Sequence, residues 1–194
     1  LARESSSQIE SYVDIYKYIK MSAGSPRNFL NIIKISYDNE YQKSHLIPFT
    51  NDNLITIESQ LGAIKKVTEW FLDTNRIPFR IDGEFYSTDL VNKIGNFLRE
   101  IRFSNTPPEC SINLFSIDSS FINKYSIAFN YLLNYSYLIK SGDRRGNNDD
   151  KKEMTFYING TIAPYYELSI NKRGVIKIGN EILNSFLLKD DSIV

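Results

Sequence analysis

The sequence predicts a mainly α-helical protein that carries a small antiparallel sheet. Apolar residues recur every three or four positions along most of the chain, which is the spacing of one helix face. Strand-like alternation is limited to short segments, most clearly at residues 135–140 and 154–158, on either side of a polar stretch. The chain has 194 residues, so it can bury one large core or two small ones.

The first 72 residues contain only helical patterns. An apolar stripe predicts a helix that ends before Gly24, and Ser25 is a good N-cap for the helix that follows. Pro26 fits the first position of that second helix, where its missing N–H costs nothing. The predicted helices cover residues 8–21, 26–41 and 50–72, and residues 44–48 are predicted to form a loop.

Residues 73–194 combine helices with short strands. Asn105–Pro108 is predicted to be a loop, because two prolines cannot lie inside a helix. Ser141–Lys152 contains no apolar residue and is predicted to be a solvated tip. The predicted helices are residues 87–103, 118–134 and 180–187, and the predicted strands are residues 77–81, 112–115, 135–140, 154–158 and 167–170. This order predicts a winged helix, whose second and third helices are residues 87–103 and 118–134 and whose wing hairpin is residues 135–158.

The composition excludes several classes of site. The chain has 23 basic and 23 acidic side chains, and a net charge of zero argues against a strong grip on bulk nucleic acid, although a local basic patch remains open. The single cysteine, Cys110, excludes an internal disulfide, and the single histidine, His45, excludes a multi-histidine metal site. No apolar run reaches the ~18–20 residues of a membrane helix and no signal-peptide pattern opens the chain, so we expect a cytoplasmic protein.

The sequence contains no catalytic constellation. Its acidic residues are scattered, and neither Cys110 nor His45 has a matching partner close in sequence. No G-x-x-x-x-G-K-[ST] motif occurs, so the chain cannot hold ATP through a P-loop by itself. An independent hydrolase is therefore not expected.

The most informative stretch is Ser22–Ser36, in which Arg27 lies in the first turn of the second predicted helix. The helix dipole favours anions at this end, so a cation here is not explained by the helix itself. Such an arginine is either solvated and indifferent, or it faces an anion such as a phosphate. The sequence pattern alone leaves both alternatives open.

Gly24, Pro26 and Arg27, followed by an apolar helix, resemble the sensor-2 element of AAA ATPases of the origin-recognition type and their bacterial relatives. Asn28 stands where this pattern more often has aspartate. Residues 154–176 resemble the end of the winged domain in the same family, through an aromatic-rich strand, an Ala-Pro turn and a Lys-Arg-Gly sequence. The resemblance implies a helical AAA lid at residues 1–72, followed by a winged-helix domain at residues 73–194.

The resemblance also implies a function for Arg27, which would sense the γ-phosphate of ATP. ATP and Mg would then be held only by a P-loop domain that precedes this chain. Because the chain begins at Leu1 rather than Met and soon enters a helix, we expect a C-terminal fragment that lacks its N-terminal ATPase domain. Whether it forms a homo-oligomer is left open.

The predicted winged domain is expected to bind DNA or a partner protein. Residues 140–152 carry five basic and three acidic side chains, which leaves a net charge of plus two. The candidate DNA contacts are Arg144, Arg145, Lys151, Lys152 and Lys124, with Asn123 and Asn130 as base readers. Tyr165 and Tyr166 are candidate protein contacts, since tyrosine is enriched at interfaces. Two alternatives remain: a protein-interaction module without a nucleotide function, and a stand-alone DNA-binding regulator.

Overall fold

The computed structural model describes residues 12–50, 54–74, 80–81, 85–104, 113–145, 152–171 and 174–187. Its helices are α1 (Ile15–Met21), α2 (Pro26–Ser44), α3 (Ile57–Thr74), α4 (Ser87–Arg102), α5 (Ser119–Lys124), α6 (Ser126–Asn134) and α7 (Asn180–Leu187). Its strands are β1 (Arg80–Ile81), β2 (Phe85–Tyr86), β3 (Leu114–Asp118), β4 (Leu138–Arg145), β5 (Lys152–Ile158) and β6 (Ile176–Lys177). A 3₁₀ helix covers Ala163–Tyr166. The predicted fold class is confirmed, and the architecture is consistent with a helical lid followed by a winged-helix-like fold.

The four-stranded sheet has the order β4-β5-β3-β6. Strands β4 and β5 form the predicted antiparallel hairpin, and β3 is also antiparallel to β5. Strand β6 pairs with β3 in parallel, so the sheet is mixed rather than purely antiparallel as predicted. The strands also extend into the polar stretch that was predicted to be a tip, because backbone pairing does not require apolar side chains. The rest of that predicted tip, residues 146–151, lies outside the described residues.

Helices α2 and α3 form an antiparallel pair that is closed by a buried carboxylate. Glu40 Oε2 accepts hydrogen bonds from Thr56 N at 2.9 Å and from Thr56 Oγ1 at 2.6 Å. These bonds hold the pKa of the Glu40 carboxyl below its usual value. Because Thr56 is fixed in this way directly before the helix, α3 begins at Ile57 rather than at the predicted position near residue 50.

Three further predictions about secondary structure were wrong. The helix predicted over residues 8–21 begins only at Ile15, because Asp14 caps it, and residues 8–11 lie outside the described residues. The segment predicted as one helix over residues 118–134 is two helices, which break at Tyr125. The break lets Phe121 and Phe129 pack edge to face, with their ring centroids 6.3 Å apart. The strand predicted at residues 167–170 is absent, because the 3₁₀ helix ends at Glu167 in the left-handed conformation and the next residues are buried without strand pairing.

The core joins the helical segment to the sheet. Phe115, Phe129 and Phe156 form its aromatic centre. Phe71 on α3 packs edge to face against Tyr137, next to the start of β4, with 5.7 Å between the ring centroids. Residues on both sides of the predicted domain boundary at 72/73 therefore share one buried cluster, and the boundary itself stays a prediction.

Candidate functional site

The turn between α1 and α2 fixes where the Arg27-bearing helix begins. Gly24 has a φ of +82°, in the left-handed region where glycine is favoured. A Cβ at this position would meet nothing within 4 Å. Glycine is therefore favoured here by the backbone conformation and not by a lack of space for a side chain. Ser25 then caps α2 through its Oγ, which accepts from Asn28 N at 3.4 Å, and Pro26 occupies the first helical position, as predicted.

Arg27 is exposed in the first turn of α2. That turn contains no acidic residue, and Arg27 makes no hydrogen bond or ion pair with any residue that the structure describes. Its guanidinium is therefore open to solvent and to an approaching anion. Lys34 is also exposed and lies on the same side of α2, two turns further along.

Asn28, the next residue, is buried and links α2 to the end of the hairpin. Its Nδ2 donates to Thr161 Oγ1 at 3.0 Å, and Thr161 Oγ1 donates to Met21 O at 3.0 Å. Thr68 on α3 also donates to Thr161 O, at 2.7 Å. Sequence patterns did not identify Thr161 or Thr68, because residues 93 or more positions apart meet only in the folded chain. The signal at Asn28 was its departure from the aspartate that is usual in the resembling family.

Gly160 allows the Asn159–Thr161 turn to lie close to the backbone of α1. A Cβ on Gly160 would lie 2.7 Å from Met21 Cα and 3.0 Å from Lys20 O, so no larger residue fits without a shift of α1. A cavity of about 420 Å³ opens beside this contact, and Arg27 is not part of its wall. The residues that line it are Lys20, Ala23, Gly24, Asn113, Tyr157, Gly160, Ile170 and Asn171.

The candidate DNA contacts that the structure describes fall on three elements of residues 73–194, namely α5, α6 and the β4–β5 hairpin. Asn123 and Lys124 are exposed on α5, and Asn130 is exposed on α6, so the break at Tyr125 separates residues that were predicted to share one helix. Lys124 Nζ lies over the Tyr125 ring, 5.1 Å from its centroid. Arg144, Arg145 and Lys152 belong to the hairpin, where Arg145 pairs with Lys152 in register, and Lys151 lies outside the described residues.

The two candidate protein contacts differ in exposure. Tyr165 is 59% exposed, whereas Tyr166 is only 1% exposed. The Tyr166 hydroxyl is hydrogen-bonded to Asn92 on α4, and burial raises the pKa of this hydroxyl. The assignment of Tyr166 to a partner surface is therefore corrected, since its ring packs against α4 in the core. Tyr165 alone stays available for a partner.

The described residues contain neither a candidate metal site nor a membrane-spanning helix. Within the described residues, no three histidine, cysteine or acidic side chains are grouped in a way that could hold a metal ion. None of the helices in the described ranges combines the length and hydropathy needed to cross a membrane.

Comparison with known proteins gave one match. The family model described as ORC-CDC6-like matches residues 1–178, which is most of the 194-residue chain. No curated protein and no solved structure matched the chain. The matched range includes the α1–α2 turn, Arg27, the hairpin and the Asn159–Thr161 turn.

Proposed function

The chain belongs to the ORC-CDC6-like family, and from this premise we propose that it is the C-terminal module of an AAA-type ATPase. In this proposal Arg27 senses the γ-phosphate of ATP that a preceding P-loop domain binds together with Mg. The module then couples the nucleotide state to the pose of a winged-helix domain. The observation that carries the proposal is an exposed arginine, with no carboxylate partner among the described residues, at the start of a capped helix.

The distribution of exposed apolar side chains supports a neighbouring protein body. Fifteen large apolar residues are exposed in the described part of the chain, and twelve of them lie between Ile15 and Trp70. Contiguous apolar patches mark sites where another protein packs, and Leu46, Ile47 and Phe49 are exposed together in the loop after α2. The segment that carries Arg27 is therefore also the segment best suited to dock an ATPase domain.

We expect Arg27→Ala to lower ATP turnover at least tenfold in a protein that joins this chain to its P-loop domain. A guanidinium can stabilise negative charge on the transferred phosphoryl group, and the alanine variant loses that stabilisation. The measurement is steady-state ATP hydrolysis together with nucleotide-dependent assembly. Lys34→Ala is the matched control, because it removes a similar charge from the same side of the helix about 10 Å further along. Wild-type behaviour of Arg27→Ala in both assays would refute the sensing function.

We further propose that the winged domain contacts duplex DNA through the hairpin and α5. Lys124 and Lys152 are exposed there, and Arg144, Arg145 and Lys151 add three more positive charges in the sequence. Only three exposed large apolar residues lie beyond residue 74 in the described chain, namely Phe103, Ile127 and Tyr165. This surface is therefore better suited to a charged partner than to a large apolar one.

Replacing these five basic residues by alanine should abolish low-salt binding to a DNA duplex. Replacing one of them alone should leave measurable binding and reduce the magnitude of the slope of log K against log salt by about 0.9. Fluorescence anisotropy over a salt series measures both effects, and Lys34→Ala with Lys65→Ala controls for charge removed from the helical segment. Absence of wild-type binding at low salt would instead favour a protein partner, for which Tyr165→Ala is the variant to test.

A further inference from the structure

Asn28 supplies a hydrogen-bond donor, which is what its partner Thr161 Oγ1 requires. Thr161 Oγ1 has a single proton, which it donates to Met21 O at the end of α1. Toward residue 28 the same oxygen can therefore only accept a hydrogen bond, and it accepts one from Asn28 Nδ2. An ionised aspartate cannot donate, so it would have to take the proton of Thr161 away from Met21 O. This explains why an amide stands where the resembling motif more often has a carboxylate.

Thr161 is itself fixed to the hairpin. Its N–H donates to Asn159 Oδ1 at 2.8 Å, within the Asn159–Thr161 turn that follows β5. Asn159 Nδ2 donates to Ser136 O at 2.7 Å, and Asn159 N donates to Tyr137 O at 3.0 Å, just before β4 begins. Hydrogen bonds therefore run without a gap from the first turn of α2 to both strands of the hairpin.

The hydrogen-bonded residues between α2 and the hairpin are tightly packed. Asn28, Thr68, Asn159 and Thr161 are each no more than 5% exposed. Gly160 lies directly against the backbone of α1, where even a Cβ would not fit. Packed interiors transmit a displacement instead of absorbing it, because few voids are available to take it up.

We propose that Asn28 is the positioning residue of Arg27, and that through Thr161 it makes the start of α2 and the β4–β5 hairpin move as one body. The functional part of this inference rests on the proposed function: a displacement of Arg27 by ATP would reach the hairpin through these two side chains. The mechanical part concerns this chain alone and can be tested without nucleotide.

Hydrogen exchange of the 194-residue chain tests the mechanical part. Thr161→Val removes the hydroxyl at nearly constant volume, and should speed exchange at least tenfold both in residues 22–30 and in residues 159–163. Residues 36–44, at the far end of α2, should keep their wild-type exchange. Thr161→Ser retains the hydroxyl and should behave as wild type in all three regions.

Faster exchange that stays within residues 159–163 would overturn the proposal, because the start of α2 would then be held by something else. If Thr161→Val unfolds the chain, Asn28→Ala tests the same hydrogen bond by removing its other partner. That variant should loosen residues 159–163 as well as its own turn, and an unchanged turn at 159–163 would overturn the proposal.

ATP turnover of the protein that includes the P-loop domain tests the functional part. Thr161→Val should lower turnover several-fold, and Thr161→Ser should restore it. Adding Thr161→Val to Arg27→Ala should cause no further loss, since Thr161 acts through the arginine; additive losses would overturn the positioning assignment. If Arg27→Ala alone has no effect, the proposed function fails, while the exchange experiment still decides whether the two elements move together.

Discussion

Gly95→Ala should destabilise the protein by about 2 kcal/mol, although alanine is the better helix former. Gly95 lies inside α4, where a Cβ would be 2.6–2.7 Å from three ring atoms of Tyr166. The gain in helix propensity is about 1 kcal/mol, whereas overpacking a core costs about 1–3 kcal/mol. The ring cannot easily move away, because it is buried, hydrogen-bonded to Asn92 and packed edge to face against Tyr165. The clash should therefore outweigh the propensity gain.

Chemical denaturation of the variant and two controls measures this balance. Gly62→Ala is the matched control, because its Cβ would meet only the end of the Asn39 side chain, at 3.3 Å, so it should stabilise the protein by up to about 1 kcal/mol. In a Tyr166→Ala background, Gly95→Ala should no longer destabilise, since the ring is gone. A loss of the same size in both backgrounds would show that the ring is not the cause.

Glu153→Gln should destabilise the protein by about 1–2 kcal/mol at neutral pH, the usual contribution of charge-assisted hydrogen bonds to a buried carboxylate. Glu153 is 8% exposed on β5 and joins three strands of the sheet. Its carboxylate accepts from Ser116 Oγ on β3 at 2.9 Å and forms an ion pair with Lys177 on β6. The lysine end is 56% exposed, so solvent weakens the ion pair and keeps the expected loss moderate.

The effect of Glu153→Gln should depend on pH in a defined direction. The bond from Lys177 lowers the pKa of the Glu153 carboxyl below its ordinary value of 4.5. A carboxyl with a lowered folded-state pKa stabilises the fold above the unfolded pKa and loses that contribution as the pH falls through the folded pKa. The stability difference between wild type and variant should therefore be full at pH 7 and shrink below about pH 4.5.

Denaturation midpoints measured from pH 3 to 7 test this dependence. Glu58→Gln is the control, because Glu58 forms an ion pair with Lys43 in which the two side chains are 80% and 50% exposed, so its loss should matter little at any pH. A difference for Glu153→Gln that stays constant down to pH 3 would assign its effect to packing instead of charge.

Local patterns in the sequence determined three of the seven described helices to within three residues. Apolar spacing of three and four residues predicted α2, α4 and α7 closely, because those helices bury one face against a common core. Ser25 and Pro26 placed the start of α2 at the right residue, since capping depends on neighbouring residues alone. The same local chemistry singled out Arg27, and the resemblance that it suggested agrees with the family match over residues 1–178.

Tertiary contacts decided the rest. The start of α3 depends on Glu40, sixteen residues before Thr56, and the parallel pairing of β6 depends on β3, far away in the sequence. Periodicity could not reveal that Tyr166 is buried while its neighbour Tyr165 is exposed, because a four-residue 3₁₀ helix is too short to carry a periodic pattern.

The candidate site was also predicted only in part from the sequence. The sequence by itself determined that Arg27 lies in the first turn of a capped helix, because a cap, a proline and the residues beside them suffice to build such a start. Only the tertiary structure placed Thr161, more than 130 residues away, against Asn28. The physical reason is that a hydrogen bond between distant segments leaves no periodic signal in either of them, and it exists only once the core has brought both together.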